Sequence, residues 1–198
     1  MSLEIAHMNA ARPMADRIEE GTYPARLISI IDLGNQPQTD WQSGDATDPK
    51  NRVLFTWELP TETLEHNNED TGEMEHKPRR ISKEYTLSNF EQSNLMKLIK
   101  SLATGEAITS LKQLLGQPCM VAIGSTINGK AKITSVMKTP KGMTVDECSV
   151  EPVYFDFDRP DQELFESQAG WIQQKVRDAL NYSGFADDWG VDKKELPY

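Results

Sequence analysis

The runs PCMVAIGSTI (118–127) and KAKITSVM (130–137) are separated only by Asn128-Gly129. An Asn-Gly pair between two strand-forming runs is the strongest short-range hairpin signal, because both residues tolerate the positive φ of a type I′ turn. The first run is apolar enough for a buried strand, and the second alternates as its antiparallel partner. A β-hairpin in the second half of the chain is therefore expected, and every earlier element has to be arranged around it.

Three further strand patterns precede it. TYPARLISIIDLG, from Thr22 to Gly34, is rich in apolar and β-branched residues and reads as a long first strand. In RVLFTWEL, Val53, Phe55, Trp57 and Leu59 alternate with Arg52, Thr56 and Glu58, a period of two that Pro60 ends. In PRRISKEYTL, Ile81, Lys83, Tyr85 and Leu87 alternate with Arg80, Ser82, Glu84 and Thr86. The polar stretches between them, NQPQTDWQSGDATDPKN and the acidic TETLEHNNEDTGEMEHK, have no period and are expected to be loops, the second a mobile one.

After the third strand, Ser88-Asn89-Phe90-Glu91 has the form of a capping box and places a helix start there. Leu95, Leu98, Ile99 and Leu102 give that helix one apolar stripe, and Thr109 to Leu115 supplies further helical turns stopped by Gly116. Beyond the hairpin, VYFDF reads as a short strand. Pro160 suits the first turn of a helix whose stripe (Phe165, Ala169, Ile172, Val176, Ala179) runs to Leu180.

The order strand, strand, strand, helix, strand, strand is that of an OB-fold, a five-stranded, partly open barrel with a helix between strands three and four. The expected organisation is an N-terminal arm (1–21), an OB-fold-like domain (22–150), a C-terminal strand and helix (151–181) and a flexible acidic tail (182–198). A different small barrel or an α+β sandwich is the alternative architecture. With 198 residues and 37% hydrophobic content, the chain can bury a substantial core. It has no apolar run near the about 20 residues of a membrane span and no signal-peptide pattern, so the cytoplasm is the expected compartment. Cys119 and Cys148 form no CxxC motif, and Cys119, in an apolar run, is expected to be a core thiol.

Charge is segregated along the chain. From Lys77 to Lys141 there are eleven Lys or Arg and three acids, a balance of +8 in a chain whose formal net charge is −10. A positive face for a polyanion, on a body that repels polyanions elsewhere, would produce this pattern. Single-strand binders need cations along a groove and aromatic rings on which unpaired bases stack. Arg52, Arg79, Arg80 and Lys83 fall on the second and third strands, and Lys130 and Lys132 share a face of the last hairpin. Trp41, in a polar loop without apolar neighbours, is the leading stacking candidate; Tyr85, beside Lys83, is the second.

Other chemistries find little support. GSTINGKA (124–131) follows the phosphate-loop pattern until Ala131 stands where a Ser or Thr would hold magnesium, and a hairpin replaces the strand-to-helix context. His66 and His76 lie among Glu62, Glu65, Glu69, Asp70, Glu73 and Glu75 without ligand spacing, so a solvated loop is expected rather than a metal site. With His7 the only other histidine, no nucleophile motif is evident. The expectation is a non-enzymatic protein without cofactor. An OB-like protein-interaction or virion-assembly module is the alternative function, and a metal-dependent nuclease using the acidic loop the third.

Over residues 22–137 the chain resembles the bacteriophage single-stranded DNA-binding proteins of OB-fold type. The resemblance rests on the element order, on ISKEYT (81–86) and LLGQPC (114–119), and on the tail. It implies a protein that coats exposed strands during phage DNA replication or recombination, largely without sequence preference. It also implies that the tail, with Trp189 and the tip Leu196-Pro197-Tyr198, recruits replication or recombination proteins. Lys193 and Lys194 before the tip, and the helix inserted at 160–180, depart from the family's pattern.

Overall fold

Alternation of large apolar residues, broken at a few bulges, lays out the sheet. The computed structural model describes residues 17–67, 72–103, 107–157 and 159–182. Its strands are β1 (Gly21–Thr39), β2 (Ala46–Asn67), β3 (Met74–Thr86), β4 (Pro118–Ser125), β5 (Ala131–Lys138) and β6 (Val153–Phe155). The helices are α1 (Asn94–Leu102), α2 (Gln162–Glu166) and α3 (Gly170–Arg177), with a 3-10 turn at Leu111–Leu114. The fold is mainly β. Five strands run in the order β3-β2-β1-β4-β5 with antiparallel neighbours, and β6 lies parallel to β1.

The sheet carries two cores. Val53, Phe55 and Trp57 of β2 point to one side with Ile81 and Tyr85 of β3, Cys119 and Val121 of β4, and Ile133 and Val136 of β5. Leu95, Leu98 and Leu102 of α1 close that side. On the other side Ile31, Leu33 and Leu54 meet Phe155, Phe165, Ile172 and Val176. Because both faces of β1 are covered, its apolar residues run almost continuously. Alternation sends Ile30 and Ile31 to opposite cores, and the register shift at Leu27/Ser29 lets Leu27 and Ile30, of opposite parity, face the same one.

Several sequence expectations are corrected. The first polar stretch is an extended ribbon: β1 and β2 stay paired out to Thr39 and Ala46, leaving a tight turn at 40–45. The acidic stretch is also a ribbon, with β2 and β3 paired out to Asn67 and Met74. Neither ribbon shows a hydrophobic period because neither buries an apolar face, even though Gln36 at the base of the first is buried and donates to the Lys175 carbonyl at 2.8 Å. Pro60 does not end β2; it sits in a bulge between the pairs Leu59–Arg79 and Thr63–Pro78, where a missing N–H is tolerated.

The helix after β3 starts at Asn94, not Ser88: Ser93 caps it, accepting from the Met96 N–H at 3.1 Å. The single helix expected over 160–180 is two, α2 and α3, broken at Ser167–Ala169, while Phe165, Ile172 and Val176 still form its buried stripe. The hairpin of β4 and β5 forms as expected, but with a different turn. The Gly129 N–H donates to the Thr126 carbonyl at 2.8 Å and Gly129 alone takes positive φ, 68°, which is a three-residue loop rather than type I′.

Residues 151–181 are built onto the sheet. Besides the β6 pairing, the Leu180 N–H donates to the Asn35 carbonyl at 2.9 Å, and Asn181 accepts from the Asn35 N–H at 3.0 Å. Gly34 permits this approach, since its φ is 71° and a Cβ there would lie 2.5 Å from the Phe157 ring.

Candidate nucleic-acid interface

Antiparallel register assigns the basic residues of β2 and β3 to faces. Arg52, Leu54, Thr56 and Glu58 pair with Thr86, Glu84, Ser82 and Arg80 on the side away from the main core. Lys83 and Arg79, of opposite parity, stand across from Phe55 and Leu59. The Pro60 bulge sits beside Arg79, and locally increased twist lets neighbours of opposite parity converge. Arg79 and Arg80 thus line one cleft of about 720 Å³, together with Lys77, His66 and His76 from the ribbon and Ser149 from the segment before β6. Among the described residues, no carboxylate lines that cleft.

Glu58 positions Arg80. Its side chain is wholly buried, accepts from the Ser149 N–H at 2.7 Å and from its hydroxyl at 2.6 Å, and lies 3.7 Å from the Arg80 Nε. Arg80 remains half exposed. Arg79 donates to the Thr63 carbonyl at 3.3 Å, and Lys77 pairs with Glu75 at 3.1 Å across exposed surface, an interaction of small net worth.

A second cationic point lies at the seam where β3 faces β5. Lys83, Lys132, Ser82 and Thr134 line it. Lys83 donates to the Ile133 carbonyl at 3.1 Å, and its Nζ stands 5.4 Å from the centre of the Tyr85 ring. Partial burial, and then the charge of Lys132, push the Lys83 ammonium below its ordinary pKa. An anion placed between the two lysines would relieve that repulsion.

The other sequence candidates separate. Tyr85 is corrected from stacking platform to core: it is 5% exposed and packs edge-on against Phe55, so no base can reach its ring. Its burial also raises the phenol's pKa. Arg52 is tied down, donating to the Thr86 hydroxyl at 2.9 Å and lying 3.5 Å from Glu84, which also pairs with Lys175 of α3. Trp41 is 86% exposed at the tip of the β1–β2 ribbon. Asp40 holds that tip by accepting from the backbone N–H groups of Gln42 and Ser43 at 2.8 and 2.9 Å, which lowers its carboxyl below the ordinary 3.8. Lys130 and Lys132 are exposed at the β4–β5 turn. Trp189, Leu196, Pro197 and Tyr198 lie outside the described residues.

Lys77 and Trp171 were not anticipated as site residues. Lys77 is two positions before Arg79 on the same strand, a spacing that could have found it had the acidic stretch been read as strand. Trp171 gives no signal in the sequence, because its place depends on how α3 packs. Among the described residues no His, Cys, Asp and Glu side chains cluster as a metal site, and no helix is long and apolar enough to cross a membrane. Cys119 is the buried thiol expected, its pKa pushed up to about 12 by burial. No protein-family model matches the chain, and neither do any curated protein or solved structure.

Proposed function

We propose that this chain is a non-enzymatic single-stranded DNA-binding protein of OB type. It coats exposed strands in phage DNA replication or recombination, largely independently of sequence. The observation that carries the reading is the gathering of Lys77, Arg79 and Arg80 along one cleft, with no acid among its described lining residues, on a chain of net charge −10. Concentrating cations in a cleft of an acidic protein favours a polyanionic ligand there and repels it elsewhere.

The strand order β3-β2-β1-β4-β5 and the approach of Lys83 to the Ile133 carbonyl support an OB barrel in which β3 and β5 are the closing edges. In such a barrel the ligand crosses strands two and three between the first and last hairpins. Phosphates then follow Lys77, Arg79 and Arg80 toward Lys83, Lys130 and Lys132, while Trp41 on its ribbon stacks on a base. The tail tip, Leu196-Pro197-Tyr198, serves as the contact for replication or recombination partners.

Titration of the full chain with oligo-dT at low salt tests this. Expected are quenching of tryptophan emission and a weaker complex for Trp41→Ala, by roughly five-fold or more for one lost stacking contact. Absence of binding at low salt would leave the DNA reading without support and favour a protein-interaction module.

A further inference from the structure

A second cleft, of about 400 Å³, opens between the sheet and the C-terminal helices, a volume within the range of small-ligand sites. Thr56 of β2 and Arg80 and Ser82 of β3 form one wall; Gln168 and Trp171, at the break between α2 and α3, form the other. Glu151 is the one carboxylate among its described lining residues. Arg80 lines both this cleft and the basic one, so the two clefts share its guanidinium.

Trp171 is 52% exposed, although Ile172 beside it is buried in the second core. A large indole held half in solvent at a cleft mouth, on a helix anchored by its neighbour, is arranged to receive a flat apolar surface. Opposite it the Thr56 and Ser82 hydroxyls bond each other at 2.9 Å, and each can rotate to donate or accept. That wall satisfies the edge of any base without selecting one. The guanidinium of Arg80 supplies the cation for the attached phosphate.

We infer that this cleft seats one nucleotide of the bound strand, its base stacked on Trp171 and its phosphate at Arg80. The inference rests on the DNA-binding reading above, and it makes the C-terminal helices part of the binding surface.

Two measurements test it on the full chain. In W41F/W189F the emitters are Trp57, fully buried, and Trp171. Oligo-dT should quench this variant and leave W41F/W171F/W189F unchanged, while anisotropy of labelled oligo-dT reports binding for both. W171A should bind oligo-dT roughly five- to 150-fold more weakly than wild type, yet bind an abasic oligonucleotide equally well, because only a base can stack. Undiminished binding of oligo-dT by W171A, or no quenching in W41F/W189F at saturation, overturns the cleft assignment and leaves the DNA reading standing. A penalty equal for abasic and dT strands also overturns it, since that would mark a merely structural role. If wild type binds no oligo-dT at low salt, both fall.

Discussion

At the scale of single residues, the groups each arginine leans on decide what it can do. Arg52 lies between Thr86 and Glu84, its side chain about three-quarters buried and two of its guanidinium nitrogens engaged within the protein. Arg80 leans on Glu58, yet that carboxylate is also held by Ser149, and the guanidinium keeps half its surface for a ligand. Arg79→Ala and Arg80→Ala should therefore each weaken oligo-dT binding and flatten its salt dependence by about one unit or slightly less of log-log slope. Arg52→Ala should change that slope little. Salt titrations followed by anisotropy distinguish these outcomes.

Asp40 makes a prediction about pH. Its carboxyl is lowered first by the Ser43 backbone N–H and then by that of Gln42, so its folded pKa lies below its unfolded one. A lowered carboxyl stabilises the turn fully above the ordinary 3.8, and that support fades as pH falls through the lowered value. In Asp40→Ala the turn lacks this support at every pH. Trp41 emission should thus hold steady in wild type from neutrality down to about pH 4 and change below it, with no such step in the variant.

At the scale of elements, the C-terminal helices behave as part of the sheet. Phe165 of α2 is 2% exposed, packed near Phe155, with the Arg177 guanidinium 5.2 Å from its ring centre. Phe165→Ala should cost about 3–5 kcal/mol in urea unfolding. The transition should stay single, because Phe165 belongs to the same second core as Ile31, Leu33 and Leu54 of the sheet. A separate early transition for α2 and α3 would contradict this. The strands and the stripe of α1 were legible because each packs with a regular period, but the long ribbons were not: polar on both faces, they are ordered by backbone pairing, which leaves no trace in side-chain spacing.

At the scale of the whole molecule, the net charge of −10 opposes any polyanion until it finds the cationic cleft and seam. If Lys77, Arg79, Arg80, Lys83, Lys130 and Lys132 each meet one phosphate, the logarithm of affinity should fall with the logarithm of salt at a slope of roughly −4. A slope near zero for wild type would show that the cations are not neutralising phosphates.

The sequence alone determined the strand segments that pack on a core, that a hairpin joins β4 and β5 near Asn128-Gly129, which face of α1 is apolar, and that positive charge gathers in one stretch, because period and turn chemistry are local properties. Only the tertiary structure decided which of those charges face outward together. It buried Tyr85, which alternates with residues indistinguishable from it by pattern. It tied Arg52 to Glu84 and Lys175, and it brought Trp171 beside Arg80 across a cleft. Such outcomes depend on partners far apart in the chain and on which sheet face is covered, and alternation, which gives every strand two faces, does not specify that covering.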